Sequence, residues 1–222
     1  MKCAFCSADL GTGPAVHLCS RCGAPQPVRA EETFFSVFGF VRPVFQFSPV
    51  EVETLFYRVS RALHPDRFAA QGQEGWRRSS LERMSFVNEA FQTLKNRESL
   101  RAYVLKLEGI AKDPVGEAGA RPKASLPLEL AEAWFELQEL AFEGSASEGA
   151  EKIAAFDKQL HARIEQIEHL AREQEAAFDH AETGEARRAS LQCLALRAQD
   201  LQYHRSLARD VQRLRITVLG VA

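Results

Sequence analysis

The chain has 222 residues, 45% of them hydrophobic, which is enough to bury a core in one or two domains plus an appendage. Its formal net charge of -2 gives no overall reason to expect binding to nucleic acid or to a membrane surface. No apolar run is long enough to span a bilayer or has the layout of a signal peptide, so we expect a soluble, cytoplasmic protein. A location in the mitochondrial matrix would require a eukaryotic source and a presequence that has been removed.

Four of the five cysteines lie at the amino terminus in two Cys-x-x-Cys pairs. Cys3 and Cys6 form the first pair, and Cys19 and Cys22 form the second. In a chain without an export signal, such pairs indicate metal ligands rather than disulfides. Four thiolates favour a structural zinc ion with no open coordination position, and an iron or iron–sulfur centre is the alternative. His17 could replace one ligand, but with four cysteines present we predict that it is a loop residue.

Two amphipathic helices flank the tripeptide His64-Pro65-Asp66. The first is predicted to begin with Ser48 as N-cap and Glu51 closing a capping box. The second is predicted to begin near Ser79, with Glu82 completing a similar box. Each carries apolar residues at helical spacing. These are Val52, Leu55, Phe56, Val59 and Leu63 in the first, and Met84, Val87, Phe91 and Leu94 in the second.

Two helices joined by a loop that begins at His-Pro-Asp resemble a J domain. Three stretches further resemble the HscB type of J protein, which serves iron–sulfur cluster assembly. They are Phe34-Phe35-Ser36-Val37-Phe38-Gly39-Phe40, Leu63-His64-Pro65-Asp66-Arg67-Phe68 and Val87-Asn88-Glu89-Ala90-Phe91-Gln92-Thr93-Leu94. General DnaJ-like proteins usually have Lys after the tripeptide and a glycine-rich region after the J domain, whereas this chain has Arg67 and continues into helices. Some HscB-like proteins also carry a similar amino-terminal tetracysteine module.

The remaining sequence predicts a helical bundle. Pro127 opens a helix that runs to about Glu143, and residues 144–149 break it. A long helix with near-heptad apolar spacing follows, and a second break at Thr183-Gly184 precedes the last helix. Three antiparallel helices with short connections would bury their apolar stripes against one another.

We therefore predict an all-α protein: a J-domain helical hairpin with its His-Pro-Asp loop, followed by a three-helix bundle and preceded by a small zinc-ribbon or rubredoxin-like knuckle that holds the four cysteines. A short linker at residues 25–27 ends the knuckle. The predicted parts are a metal-binding knuckle over 1–27, a J domain over 32–109, a linker over 110–124 and a carboxy-terminal bundle over 125–222. A monomer is expected, because the bundle already accounts for the apolar stripes.

The resemblance implies that the chain is not an enzyme but stimulates the ATPase of an HscA/DnaK-class chaperone through the His-Pro-Asp loop. In that role Asp66 would pair with an arginine of the chaperone, Pro65 would fix the backbone and His64 would offer a donor and an acceptor. A merely structural end to the helix is the alternative.

The resemblance also implies a basic face on the helix before the loop, which would help the chain to find the acidic surface of the chaperone. Arg58, Arg61 and Arg67 are its candidate residues, and an ordinary solvated surface is the alternative for the first two. If the face acts, it should mainly raise the rate of encounter and be sensitive to salt.

The resemblance also implies that the bundle binds the iron–sulfur cluster scaffold protein. Its candidate contact residues are Leu128, Glu129, Glu132, Glu136 and Tyr203. Glu132 stands where the family tends to have an apolar residue. Either the register of the alignment with the family is wrong, or the scaffold surface that this chain binds is different. The alternatives are that Leu128 belongs to the core, that the glutamates are simply solvated and that Tyr203 packs between helices.

Two further expectations concern the bundle. Cys193, in an apolar stretch, is predicted to be a buried small hydrophobe. The four histidines at scattered spacings are predicted to be surface residues; they are His161, His169, His180 and His204.

The favoured hypothesis is a co-chaperone that delivers a cluster-loaded scaffold to an HscA-type ATPase. The alternatives are a J protein with a different client, and a zinc-knuckle regulatory protein with a degenerate J domain.

Overall fold

A computed structural model of the chain describes residues 1–11, 16–69, 74–110, 126–143 and 146–219. Nearly all of the predicted 110–124 linker lies outside these ranges. The chain divides into two compact units, Met1–Val104 and Leu105–Ala222. The first unit therefore holds the cysteine knuckle together with the predicted J-domain hairpin. The second holds the predicted bundle.

The prediction of an all-α fold is confirmed over the described ranges, which contain eight helices and no strand. The helices are α1 (Phe34–Val37), α2 (Pro49–Leu63), α3 (Asp66–Ala69), α4 (Glu74–Lys95), α5 (Arg97–Leu107), α6 (Leu128–Glu143), α7 (Ala146–His180) and α8 (Gly184–Leu219). Two isolated β-bridges, Lys2 with Asp9 and Leu18 with Pro25, lie in the knuckle. No helix among the described residues is both long enough and apolar enough to cross a membrane.

Helices α2 and α4 form the predicted hairpin. The hydroxyl of Ser48 accepts a hydrogen bond from the N–H of Glu51 at 3.4 Å, so the predicted cap of α2 is present. Across the hairpin the ring of Phe56 stacks on that of Phe91, with centroids 4.1 Å apart. Leu63, the last residue of α2, is fully buried. The apolar spacing of both helices therefore faces one shared core.

Helix α4 begins five residues earlier than the sequence suggested. The prediction of a cap at Ser79 is wrong: α4 starts at Glu74, and Ser79 is a buried residue within it. Trp76 is only 8% exposed, so burial of its ring fixes the first turn of the helix in place. The hydroxyl of the neighbouring Ser80 donates to the backbone carbonyl of Leu63 at the end of α2.

Helix α5 ends at Leu107, and Gly109 follows two residues later. This glycine has φ +67°, and the N–H of Ile110 donates to the carbonyl of Leu105 at 2.9 Å. These features define a Schellman-type end, in which glycine avoids the strain of a left-handed conformation.

The second unit is a bundle of α6, α7 and α8. Its buried core residues come from all three helices and are Leu130, Leu137, Ile153, Phe156, Leu160, Leu207 and Val211. Helix α7 already includes Gly149, so the predicted break is shorter than expected. A Cβ on Gly149 would lie 3.1 Å from Cγ1 of Val218, so the absence of a side chain lets α7 and α8 approach closely.

Candidate functional site

The four amino-terminal cysteines converge on one point. Their Sγ atoms all lie within 4.8 Å of one another. The Cys3–Cys22 and Cys6–Cys19 Sγ distances are 3.7 and 3.8 Å. A tetrahedral ion with metal–sulfur bonds of about 2.3 Å requires sulfur atoms about 3.8 Å apart. The four side chains therefore fit a closed four-coordinate metal site.

Two equivalent turns present these sulfurs. The N–H of Ser7 donates to the carbonyl of Cys3 at 3.1 Å, and the N–H of Gly23 donates to that of Cys19 at 2.8 Å. The residue after each pair is in the left-handed region, with φ 57° at Ser7 and φ 77° at Gly23. Glycine adopts that conformation without strain, whereas serine does not. The two Cys-x-x-Cys motifs are thus two copies of one structural unit.

The electrostatics of the cluster favour a bound cation. Burial acts to raise the pKa of Cys3, but the backbone N–H groups of Phe5 and Cys6 outweigh it and lower that pKa to about 6. The N–H of Ala24 acts to lower the pKa of Cys22, but burial and the neighbouring thiols raise it to about 12. The backbone N–H of Cys22 also lowers the pKa of Cys19. Two of the four thiolates are therefore favoured, and a full set needs a positive ion to offset its charge.

Gln26 joins the two turns. Its Nε2 donates to Cys3 Sγ at 3.4 Å and to the carbonyl of Ala24 at 2.9 Å. Its Oε1 accepts from the N–H of Ala4 at 3.1 Å. The side chain is 4% exposed, so the prediction of a plain linker at 25–27 is wrong at this residue. The amide therefore hydrogen-bonds a candidate metal ligand and both turns, as partners of metal ligands commonly do.

The His-Pro-Asp loop, residues 64–66, projects from the end of α2. The N–H groups of Arg67 and Phe68 donate to the carbonyls of His64 and Pro65, both at 3.0 Å, which makes a tight turn. The N–H of Asp66 points to His64 Nδ1 at 3.3 Å. The side chains of His64 and Asp66 are 56% and 88% exposed. The turn thus fixes the backbone and leaves both polar side chains available to a partner.

The three predicted arginines lie together beside the loop. They line a shallow hollow of about 330 Å³, defined by Tyr57, Arg58, Arg61, Ala62 and Arg67 and called here the basic hollow. Arg67 Nη1 also donates to the carbonyl of Arg61 at 3.3 Å, which ties α3 to the end of α2. Tyr57, 60% exposed, was missed from the sequence. Its position four residues before Arg61, on the same helical face, was the available signal.

The knuckle packs directly beneath this loop. Ala24 of the second turn, Phe68 of α3 and Trp76 of α4 form one buried cluster, called here the aromatic junction. Leu18 and Cys22, one of the four clustered cysteines, pack against it. The ring of Trp76 also meets that of Phe5, from the first turn, with centroids 6.1 Å apart. Nothing in the local sequence patterns indicated this junction, because its members come from three distant segments.

A buried arginine holds the chain that leaves the knuckle. Arg83 of α4 is fully buried and donates to the carbonyls of Gln26 and Pro27 at 2.5 and 2.6 Å. Two further bonds of 2.9 Å reach the carboxylate of Glu32. Burial acts to raise the pKa of Glu32, but Arg83 and Arg29 hold it below its usual value. The sequence pattern did not predict that Arg83 is buried or that it holds this segment.

His17 belongs to this network rather than to the metal site. Its Nε2 lies 3.0 Å from the carbonyl of Val37, and its Nδ1 lies 3.3 Å from Nη1 of Arg83. Because a guanidinium only donates, Nδ1 must accept and Nε2 must carry the proton. Burial, and then the charge of Arg83, lower the pKa of His17. The ring is therefore neutral and anchors the knuckle to α1.

In the second unit, the predicted scaffold-binding residues are all exposed. Leu128 is 74% exposed, which excludes the alternative that it belongs to the core. Phe135, 64% exposed, lies seven residues further along α6 on the same face as Leu128, with Glu132 between them. Glu129 and Glu136 are exposed at one side of this face. Phe135 was absent from the predicted set and is visible only from its exposure.

A groove between α6 and α8 adjoins that face. It encloses about 550 Å³. The lining includes Trp134, Gln138, Tyr203, Leu207 and Asp210. Tyr203 is 42% exposed and stands at the groove, so it does not pack as an ordinary interior residue of the bundle.

Two predictions about the bundle are wrong. Cys193 is exposed, because the apolar stretch around it turns a different face of α8 inward. His204 is buried at 1% exposure, with Nδ1 2.7 Å from the carbonyl of Asp200. His161, His169 and His180 are exposed as predicted.

Comparison with known proteins of similar sequence identifies the family to which the chain belongs. No family model matches the chain. A co-chaperone protein HscB homolog of Neisseria gonorrhoeae is 25% identical over 134 residues, which cover 60% of this chain and 76% of that protein. One from Vibrio vulnificus is 31% identical over 137 residues, covering 62% and 75% of the two chains. The chain belongs to the HscB family of co-chaperones.

Solved structures support the same fold for this HscB-family chain. The crystal structure of human co-chaperone protein HscB superposes with a TM-score of 0.66 at 18% identity, over 97% of this chain and 99% of the human one. Chaperone HscB from Vibrio cholerae gives a TM-score of 0.50 at 21% identity, over 84% and 99%. The human comparison thus extends the likeness in fold over nearly the whole chain.

Proposed function

We propose that this chain stimulates the ATPase of an HscA/DnaK-class chaperone and brings to it an iron–sulfur cluster scaffold protein, promoting cluster transfer. The observation that carries the proposal is the exposed His-Pro-Asp loop beside the basic hollow, in a chain of the HscB family. The chain itself acts as an activator and adaptor, so turnover belongs to its partner. We propose that it works as a monomer and needs neither nucleic acid nor a membrane.

The geometry suggests how the loop acts. The Asp66 carboxylate is 88% exposed, with His64 Nδ1 3.5 Å away, and would make a charge-assisted pair with an arginine of the chaperone. Pro65 and the turn behind it would hold that carboxylate in place. The basic hollow would attract the acidic surface of the chaperone before contact. Because its arginines are exposed, they would contribute mainly to the rate of association and would lose effect as salt screens them.

Chaperone stimulation is tested by single-turnover ATP hydrolysis with a purified HscA-class protein. His64→Gln should abolish stimulation, because glutamine lacks the imidazole ring and cannot place its donor and acceptor where the two ring nitrogens lie. Arg61→Ala should lower the association rate by about threefold to tenfold at low salt and have a smaller effect at high salt. Arg209→Ala, on the exposed part of α8, is the charge-matched control. Full stimulation by the His64→Gln variant would reject this function in favour of the regulatory alternative.

We propose that the scaffold binds the face of α6 that carries Leu128, Glu132 and Phe135, together with the adjoining groove at Tyr203. An exposed apolar pair flanked by carboxylates is suited to a partner surface that offers apolar contacts and positive charge. In calorimetric titration of the full chain with a purified cluster scaffold protein, we expect micromolar or tighter binding. Binding of this strength would identify the scaffold protein, rather than some other protein, as the client of this chain.

The matched variants sharpen that titration. Leu128→Ala and Tyr203→Ala should weaken binding by about tenfold each, as expected for interface residues of this size. Leu170→Ala, on α7 and also exposed, should leave binding unchanged. If the folded chain stimulates the chaperone but does not bind the scaffold, the J protein with a different client is correct.

We propose that the tetracysteine site holds zinc in a structural role. Four thiolates at tetrahedral spacing suit Zn²⁺, and all four positions are taken by protein. Metal analysis of the purified chain should give close to one zinc per chain and a colourless protein. Iron in the same site would give visible absorption from charge transfer, which would establish the alternative.

A further inference from the structure

We propose that the tetracysteine knuckle is a positioning element for the His-Pro-Asp loop, so that metal in the cluster controls how well the chain stimulates its chaperone. The inference rests on the proposed ATPase stimulation, but its structural half can be tested without a chaperone. Phe68 and Trp76 are the residues that connect the two sites.

The first step is the contact between the loop and the knuckle. Phe68 follows Asp66 by two residues in the same turn and is 5% exposed. It packs in the aromatic junction with Ala24, which follows the ligand Cys22 by two residues. Cys22 itself packs against that junction. A metal ligand and the turn that holds Asp66 are therefore separated by a single layer of side chains.

The second step is that the loop is held at both ends from the same helix. At its start, Ser80 of α4 donates to the carbonyl of Leu63. At its end, Trp76 of α4 meets Phe68 with ring centroids 6.3 Å apart. The ring of Phe5, from the first knuckle turn, also meets that of Trp76, and a Cβ on Gly75 would lie 3.3 Å from the Phe5 ring. Residues of both knuckle turns therefore pack with Trp76, the residue that holds Phe68 in place.

The third step concerns what holds the knuckle in shape. Its described residues include no helix and only two isolated bridges, so the metal is its main internal crosslink. Segments of this size rarely fold without such a crosslink. Loss of metal should release Ala24 and Cys22 from the junction and remove one wall from Phe68. The α2–α4 hairpin has its own core and should remain folded.

The structural test compares the full chain with zinc bound and after treatment with a chelator, followed by hydrogen exchange. Metal removal should speed exchange of the Arg67 and Phe68 amides by at least about tenfold, while the amide of Val59 in the hairpin core keeps its protection. Unchanged exchange at Arg67 and Phe68 would overturn the inference. So would equal loss of protection at Val59, because the knuckle would then support the whole hairpin rather than the loop.

Variants at the junction provide a metal-independent test. Trp76→Ala should raise the same exchange rates and lower maximal ATPase stimulation by about tenfold, a typical coupling between sites. Trp76→Phe should retain both, since the indole N–H has no hydrogen-bond partner among the described residues and the ring supplies the packing. Leu81→Ala, at a half-exposed position on α4, is the control. Normal stimulation and exchange in Trp76→Ala would refute the positioning role.

The two proposals can fail separately. Scaffold binding by the second unit should be unaffected by the chelator, which would show that this unit is intact. If the zinc-loaded wild type does not stimulate the chaperone, the proposed function fails, and the exchange data still decide whether the knuckle positions the loop. If the metal-free chain stimulates as well as the zinc-loaded one, the positioning role is rejected and the proposed function stands.

Discussion

Replacement of Arg83 by methionine should destabilise the first unit severely. The guanidinium is fully buried, and its loss leaves the carbonyls of Gln26 and Pro27 without their donor. It also leaves the buried carboxylate of Glu32 with Arg29 as its remaining described partner, at 2.7 Å. Removal of one member of a buried ion pair lowers the free energy of unfolding by about 3–5 kcal/mol. For a unit of about 100 residues, this corresponds to a fall in Tm of more than about 10 °C.

Urea unfolding at fixed zinc concentration measures this effect. The chain has two tryptophans, Trp76 in the first unit and Trp134 in the second, so a Trp134→Phe background makes the fluorescence specific to the first unit. A second variant, Arg83→Met with Glu32→Leu, should regain roughly half of the loss, because no charge is left buried while the two carbonyls stay unpaired. A loss below about 1 kcal/mol in the single variant, typical of surface pairs, would refute this account of Arg83.

Three further predictions follow from the structure. Ser7→Gly should stabilise the zinc-loaded knuckle by about 1 kcal/mol, and Gly23→Ala should destabilise it by a similar amount, since both positions are left-handed; competition with a chelator measures both. Because the Glu32 pKa is lowered in the folded state, its contribution is full above its unfolded value of about 4.3 and is lost as pH falls through the folded value. Acid unfolding should therefore be shallower in Glu32→Gln. Phe135→Ala should weaken scaffold binding by about tenfold without lowering Tm, because the ring is exposed.

Features set by short-range pattern could be predicted from the sequence. The cap at Ser48, the helical face that contains Leu63 and the left-handed end at Gly109 all follow from residues within a few positions of one another. The cysteine cluster was also predictable, because each Cys-x-x-Cys turn is local and four thiolates have one obvious joint use. In these cases backbone preference and hydrophobic spacing point to the same structure.

Features that depend on distant contacts could not be predicted in this way. Helix α4 starts earlier than predicted because Trp76 packs against Phe68 and Ala24, which lie in other segments of the chain. Arg83 looked like any surface arginine of an amphipathic helix until its carbonyl partners were known. His204 is buried and Cys193 is exposed, the reverse of what was predicted. The sequence of a long helix with mixed apolar spacing does not reveal which of its faces packs against the neighbouring helices.

The shared packing at the aromatic junction has a thermodynamic consequence. If metal in the cluster favours the ordered His-Pro-Asp loop, any partner that binds only the ordered loop must favour retention of the metal by the same factor. A chaperone in complex with this chain should therefore raise the chelator concentration needed to remove half of the zinc at equilibrium, and Trp76→Ala should abolish that protection while leaving the four cysteines in place. The cysteine knuckle is then not an independent appendage. It is the part of the chain through which metal supply and chaperone activation would be linked.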